Sequence, residues 1–137
     1  MRLEPPQSLL GMEFCHHLPK SVLVVENNPD VRTVLVAILK ELGHRVTDSA
    51  SPVEALEGIQ RKHFDFMFSG FSLPRMSGIE MARIARLHHP EMKIILVAGA
   101  QVSLDSYTDS PSPVDFILWK PFSIADIEAA LVGSREV

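Results

Sequence analysis

The sequence predicts one α/β domain, a five-stranded parallel sheet with helices on both faces. Three observations carry this. Short apolar runs rich in β-branched residues recur along the chain, amphipathic helical stretches opened by Ser or Asn follow them, and polar, turn-rich segments separate the two. Strands that alternate with helices pair in parallel, because a crossover helix carries the chain back over the sheet before the next strand begins. Any functional site then lies at the carboxyl ends of the strands.

Ser21–Val25 (SVLVV) is a continuous apolar run, as befits a strand buried on both faces, and it ends in the polar group Glu26-Asn27-Asn28. Asn28 reads as an N-cap and Pro29 as the first helical residue, where its missing N–H costs nothing. Val31, Val34, Leu35, Ile38, Leu39 and Leu42 mark one buried helix face, and Gly43 is its left-handed stop. The unit then repeats. Residues 44–48 form a second strand, and Ser51-Pro52-Val53-Glu54 is a capping box that opens a short helix through Leu56 and Ile59. Residues 64–69 are the third strand. After the turn-rich stretch 74–78, Ser77 with Glu80 three residues on starts a helix that runs toward Leu87 and stops before Pro90. Residues 93–97 and 114–118 are the fourth and fifth strands, and Ser123 caps a last helix with Ile124, Ile127 and Leu131 on one face. Between those strands, 101–113 (QVSLDSYTDSPSP) is rich in Ser, Asp and Pro and lacks an amphipathic period, so the fourth helix is weak or absent.

Composition sets the bounds. A chain of 137 residues with 46% hydrophobic residues and a formal charge of −4 describes an acidic, soluble single domain large enough for a real core. No basic stripe or recognition-helix motif points to nucleic acid. Residues 1–20 contain paired prolines and no long apolar core, so they read as a flexible arm rather than a signal peptide or membrane span. The domain proper covers 21–133, with a tail at 134–137. Cys15 is the single cysteine, which excludes an internal disulfide and accords with a cytoplasmic location. Cys15-His16-His17 lack a converging further ligand, and His88-His89 suit the negative end of a helix dipole better than a metal. Trp119 is expected to pack against the core or a helix, and Arg75 and Met76 to be ordinary loop residues with Met76 tucked on the sheet.

Four segments, VLVVENNPDVR at 22–32, SLPRMSG at 72–78, IILVAGA at 94–100 and WKPF at 119–122, fall in order within the βα repeat. Together they resemble the receiver domain of two-component response regulators over roughly residues 20–133. The resemblance implies a flavodoxin-like (CheY-like) fold. It also implies an aspartate that takes a phosphoryl group from a histidine kinase beside a bound Mg²⁺.

Carried over position by position, the match keeps the scaffold and loses the chemistry. The two acidic metal-holding positions fall on Glu26 and Asn27, the phosphoacceptor on Gly70, the hydroxyl residue on Ala98 and the lysine on Lys120. The aromatic switch position falls on Ile117, and the resemblance makes Lys120-Pro121 a cis peptide. Phosphoryl transfer needs a nucleophilic oxygen in line with phosphorus and cations to neutralise the developing charge. Glycine offers no such oxygen, so no catalytic residue is assigned. Mg²⁺ is usually held by one or two carboxylates plus phosphate oxygens, whereas Glu26 and Asn27 offer one carboxylate and an amide, so metal binding is expected to be lost or weak. The family's three carboxylates and one lysine sum to −2, while Glu26 with Lys120 sums to zero, and the two are expected to pair.

Substitute acceptors are poorly placed. Asp65 lies roughly 16 Å along the strand from Gly70, Ser69 points to the opposite face, and Ser72, Asp105 and Asp109 belong to loops. The sequence therefore predicts a receiver-like protein of phosphorelay signalling that acts as a phosphorylation-independent docking module. Its partner would be a histidine kinase, another receiver or a regulator, with a homodimer as a further arrangement and no nucleic acid or membrane. Two alternatives stay open: a module that senses a small ligand in the altered pocket, and an atypical phosphoacceptor using another carboxylate.

Overall fold

The computed structural model describes residues 18–99 and 112–132. Five parallel strands form one sheet: β1 (Ser21–Val25), β2 (Arg45–Ser49), β3 (Phe66–Gly70), β6 (Lys93–Ala98) and β7 (Phe116–Trp119), in the order β2-β1-β3-β6-β7. Helices α1 (Pro29–Glu41), α2 (Pro52–Arg61), α3 (Gly78–His88) and α4 (Ile124–Val132) cover its faces, and a two-residue-per-strand hairpin, β4 (Ser72–Leu73) with β5 (Met76–Ser77), follows β3.

Side-chain alternation splits the core into two layers. Val22, Val24, Phe66, Phe68, Ile95, Val97 and Leu118 meet Leu35 and Leu39 of α1 and Ile127 and Ala130 of α4. Leu23, Val25, Met67, Ile94 and Leu96 turn the other way, onto Ala55 and Ile59 of α2 and Ile79, Ala82 and Ala85 of α3. The central strands β1 and β3 are buried at every position, which is why they read as unbroken apolar runs.

The caps are mostly those the sequence predicts. Asn28 Oδ1 accepts from the N–H groups of Asp30 and Val31, and Gly43 takes φ +96° just beyond α1. Ser77 and Glu80 make a complete capping box. Ser123 with Asp126 does the same for α4.

Several expectations need correction. Ser51 caps α2, but Glu54 does not return to its N–H. Ser49 Oγ intervenes, accepting from Ser51 N–H and donating to Glu54 Oε1. Val34 and Ile124 are exposed rather than core, because the buried stripes centre on Leu35–Leu39 and on Ile127–Ala130. Trp119 is 44% exposed; it sits at the end of the edge strand β7 and lines a shallow groove with Pro121, Asp126 and Ala129. The β4–β5 hairpin was not foreseen, since two-residue strands have no readable period; its turn places Arg75 at φ +72°. The fourth-helix segment, the N-terminal arm, Cys15-His16-His17, Asp105 and Asp109 lie outside the described residues.

Candidate functional site

The carboxyl ends of four adjacent strands bring Glu26, Gly70, Ala98 and Lys120 to one edge of the sheet, in the strand order β1, β3, β6, β7. The β1–β3 register sets Val22 opposite Phe66 and Val24 opposite Phe68. One pleat further on, the same register sets Glu26 beside Gly70 on the same face.

Glu26 is 4% exposed and held from both ends. Its N–H donates to Ser49 O at 3.1 Å, and its carbonyl accepts from Arg32 Nη1 at 2.7 Å. Its Oε2 accepts from the N–H of Asn28 at 3.0 Å, whereas Oε1 is buried with no hydrogen-bond partner among the described residues. Arg32 also meets Asp48 Oδ2 at 3.3 Å, tying α1 to β2 across the top of β1. Sequence reasoning missed Arg32 as a positioning residue; its place one turn into α1, six residues past Glu26, was the available signal.

The expected Glu26–Lys120 pair does not form: among the described residues no ion pair joins them. The reason is local, because the turn captures one carboxylate oxygen through Asn28 and the missing side chain at Gly70 leaves room for the other. Lys120 is half-buried, and its N–H donates to Ala98 O at 2.8 Å, which docks the strand ends together. The Lys120-Pro121 bond is cis, as the resemblance implied. Ala98 is fully buried, Asn27 is exposed, and Ile117 packs partly buried on the α2–α3 layer.

Gly70 is enclosed on its other side by backbone. Gly78 N–H donates to Phe71 O at 2.6 Å, and a Cβ on Gly78 would overlap the Gly70 carbonyl oxygen. Of the substitute acceptors, Ser69 and Asp65 lie as the sequence predicts, while Ser72 falls in a short strand and not in a loop. Ser69 is fully buried and its Oγ contacts Gly70 O at 3.3 Å, Ser72 lies exposed in β4, and Asp65 is at the opposite end of the sheet. There its Oδ2 accepts from Ser21 N–H at 2.8 Å and its Oδ1 meets His63 Nε2 at 3.2 Å. Burial alone would raise the Asp65 carboxyl. The hydrogen bonds from Ser21 and His63 and the charges of His63 and Lys20 together outweigh it and hold the group below its ordinary value. His88 Nδ1 contacts Ile84 O at 3.1 Å within α3, and His89 Nε2 contacts Ile59 O of α2, which ties the end of α3 to that helix.

Two features define the class: a 2-1-3-6-7 parallel sheet, and strand ends that carry Glu26 and Lys120 with a cis Lys120-Pro121 bond. Residues 22–132 match the response regulator receiver domain, and the chain belongs to that family. Among its relatives, the response regulator receiver protein CpdR of Brucella abortus is 34% identical over 109 residues, covering 79% of this chain and 90% of that protein. The sensor kinase CckA of the same organism is 34% identical over 111 residues, which are 78% of this chain but 12% of the kinase. Among solved structures, the receiver domain of the sensor histidine kinase PA1611 from Pseudomonas aeruginosa, with a magnesium ion coordinated in its active site cleft, aligns with a TM-score of 0.73 at 28% identity. That alignment covers 85% of this chain and all of the other. The chemotaxis response regulator CheY4 of Vibrio cholerae, at 23% identity and a TM-score of 0.74, shares the fold. Among the described residues no helix is long and apolar enough to cross a membrane.

Proposed function

We propose that this receiver domain is a pseudo-receiver, which works in two-component signalling as a phosphorylation-independent docking module and not as a phosphoacceptor. The observation that carries this reading is Gly70 at the end of β3, with the carboxylate of Glu26 folded beside it. Position 70 supplies no oxygen for in-line attack, and position 98 supplies no hydroxyl.

The donor set does not fit a resident Mg²⁺. That ion demands near-octahedral oxygen ligands, usually including one or two carboxylates. Here Glu26 has one oxygen engaged by Asn28 and the other buried over Gly70, and among the described residues no group of three or more His, Cys, Asp or Glu could hold a metal. No catalytic step is assigned, and the protein is not an enzyme in this reading.

The partner is a protein of the same signalling system, in the cytoplasm: a histidine kinase, another receiver or a regulator. Support comes from the relatives, which include a receiver protein and a sensor kinase that carries a similar segment. The test is incubation of the intact protein with acetyl phosphate and Mg²⁺, followed by mass spectrometry. An unchanged mass is the expected result, with partner binding equal in the presence and absence of the phosphodonor. An acid-stable, hydroxylamine-sensitive adduct would mean that another carboxylate accepts phosphate, and would overturn the reading.

A further inference from the structure

Glu26 and Gly70 are lateral neighbours on one face of β1 and β3, and the carboxylate takes up the volume that glycine leaves. A Cβ on Gly70 would lie 2.7 Å from Glu26 Oε1, 3.2 Å from Cδ and 3.4 Å from Oε2. A side chain at position 70 fits only if the tip of Glu26 moves. Nor is the carboxylate a loose end that happens to lie there. Asn28 N–H fixes Oε2, Arg32 and Ser49 fix the main chain of Glu26, and the residue is 4% exposed.

The second observation is Oε1 itself, a buried carboxylate oxygen without a hydrogen-bond partner among the described residues. Leaving a charged acceptor unsatisfied costs free energy, so hydrogen bonding alone would not select this placement. What the placement achieves is occupancy. A carboxylate in that space also disfavours a phosphoryl group, because like charges at close range repel strongly when little water separates them.

We propose that Glu26 is an intramolecular plug: its carboxylate fills the space that an acceptor side chain at position 70 would need and closes the end of β3. The inference rests on the pseudo-receiver reading and names the device that keeps that site shut. Positions 26 and 70 then act as a unit. The glycine makes room for the plug, and a side chain at 70 obliges the flexible tip of Glu26 to move.

Carboxylate labelling of the full chain with a carbodiimide and an amine, mapped by peptide mass, tests this directly. In the wild type, Glu26 should resist labelling while the exposed Glu54, Glu57 and Glu128 react. In Gly70→Ala, labelling of Glu26 should rise above its wild-type level. A wild-type Glu26 as reactive as Glu54 would sink the proposal, as would a folded Gly70→Ala protein in which Glu26 stays unreactive.

Should Gly70→Ala fail to fold, amide exchange decides. The Asn28 N–H should exchange at least about tenfold faster in Glu26→Ala than in the wild type, as expected for loss of a bond to a charged acceptor. Equal exchange would overturn the plug. Its failure is distinct from failure of the functional reading: a phosphoryl adduct on the wild type with Glu26 unreactive would remove the pseudo-receiver and leave the plug, and a reactive Glu26 without an adduct would do the opposite.

Discussion

Gly78 is where backbone meets backbone. Its N–H reaches Phe71 O, and a methyl group there would collide with the Gly70 carbonyl, which cannot swing aside as a side-chain tip can. Gly78→Ala should therefore cost at least the about 1–3 kcal/mol typical of overpacking, read from a lower urea midpoint. At the opposite end of β3, Asp65 has its carboxyl held below its ordinary value. A depressed folded value contributes stability that is full above the unfolded value, about 3.9, and is lost as pH falls through the folded one. Asp65→Asn should flatten the acid limb of the melting temperature against pH, and a limb of unchanged slope would show that other groups control it. For the strand-end cup, Gly70→Asp combined with Asn27→Asp should restore Mg²⁺ binding by calorimetry but give slow or unstable phosphorylation, since Ala98 still lacks a hydroxyl. Phosphorylation at the family's full rate in that double variant would show that position 98 matters little.

Helix α3 and strands β6 and β7 are joined by a part-buried ionic staple that the sequence did not disclose. Arg86 Nη2 contacts Asp115 Oδ2 at 2.6 Å, and the same oxygen accepts from Ile94 N–H at 2.9 Å. Arg86 also donates to the carbonyls of Pro90, Met92 and Pro113. Asp115→Ala removes a charged acceptor from Arg86 and from Ile94 N–H, and should destabilise by about 1–3 kcal/mol in chemical denaturation. Arg86 and Asp115 are 29 residues apart, and nothing in either local pattern pairs them. By contrast, the elements themselves were readable, because strands β1 and β3 are apolar throughout and the caps at Asn28, Ser77 and Ser123 obey local rules. Exposure of Val34 and Ile124 was not readable, because helical period fixes a face only to within about one residue in four.

The sheet as a whole is graded in stability by its order. β1, β3 and β6 have neighbours on both sides, while β2 and β7 each have one. Amides of β1 and β3 should therefore exchange slowest and those of β2 and β7 fastest, and slow exchange confined to an edge strand would contradict the ladder. The site was legible in outline, since the order of motifs placed Glu26, Gly70, Ala98 and Lys120 at neighbouring strand ends. The partner of Glu26 was not legible, because it depends on register: only the Val24–Phe68 pairing reveals that Glu26 faces Gly70 and not the lysine three strands away. The entry of the chain into this sheet has a mechanical meaning. Lys20 N–H is held by His44 Nδ1 and Ser21 N–H by Asp65, one from each side of β1. Tension applied at residue 18 runs along the axis of a strand laddered to β2 and β3, and it must shear both ladders together where an edge strand would peel. Pulled from this end, the domain is a firm anchor.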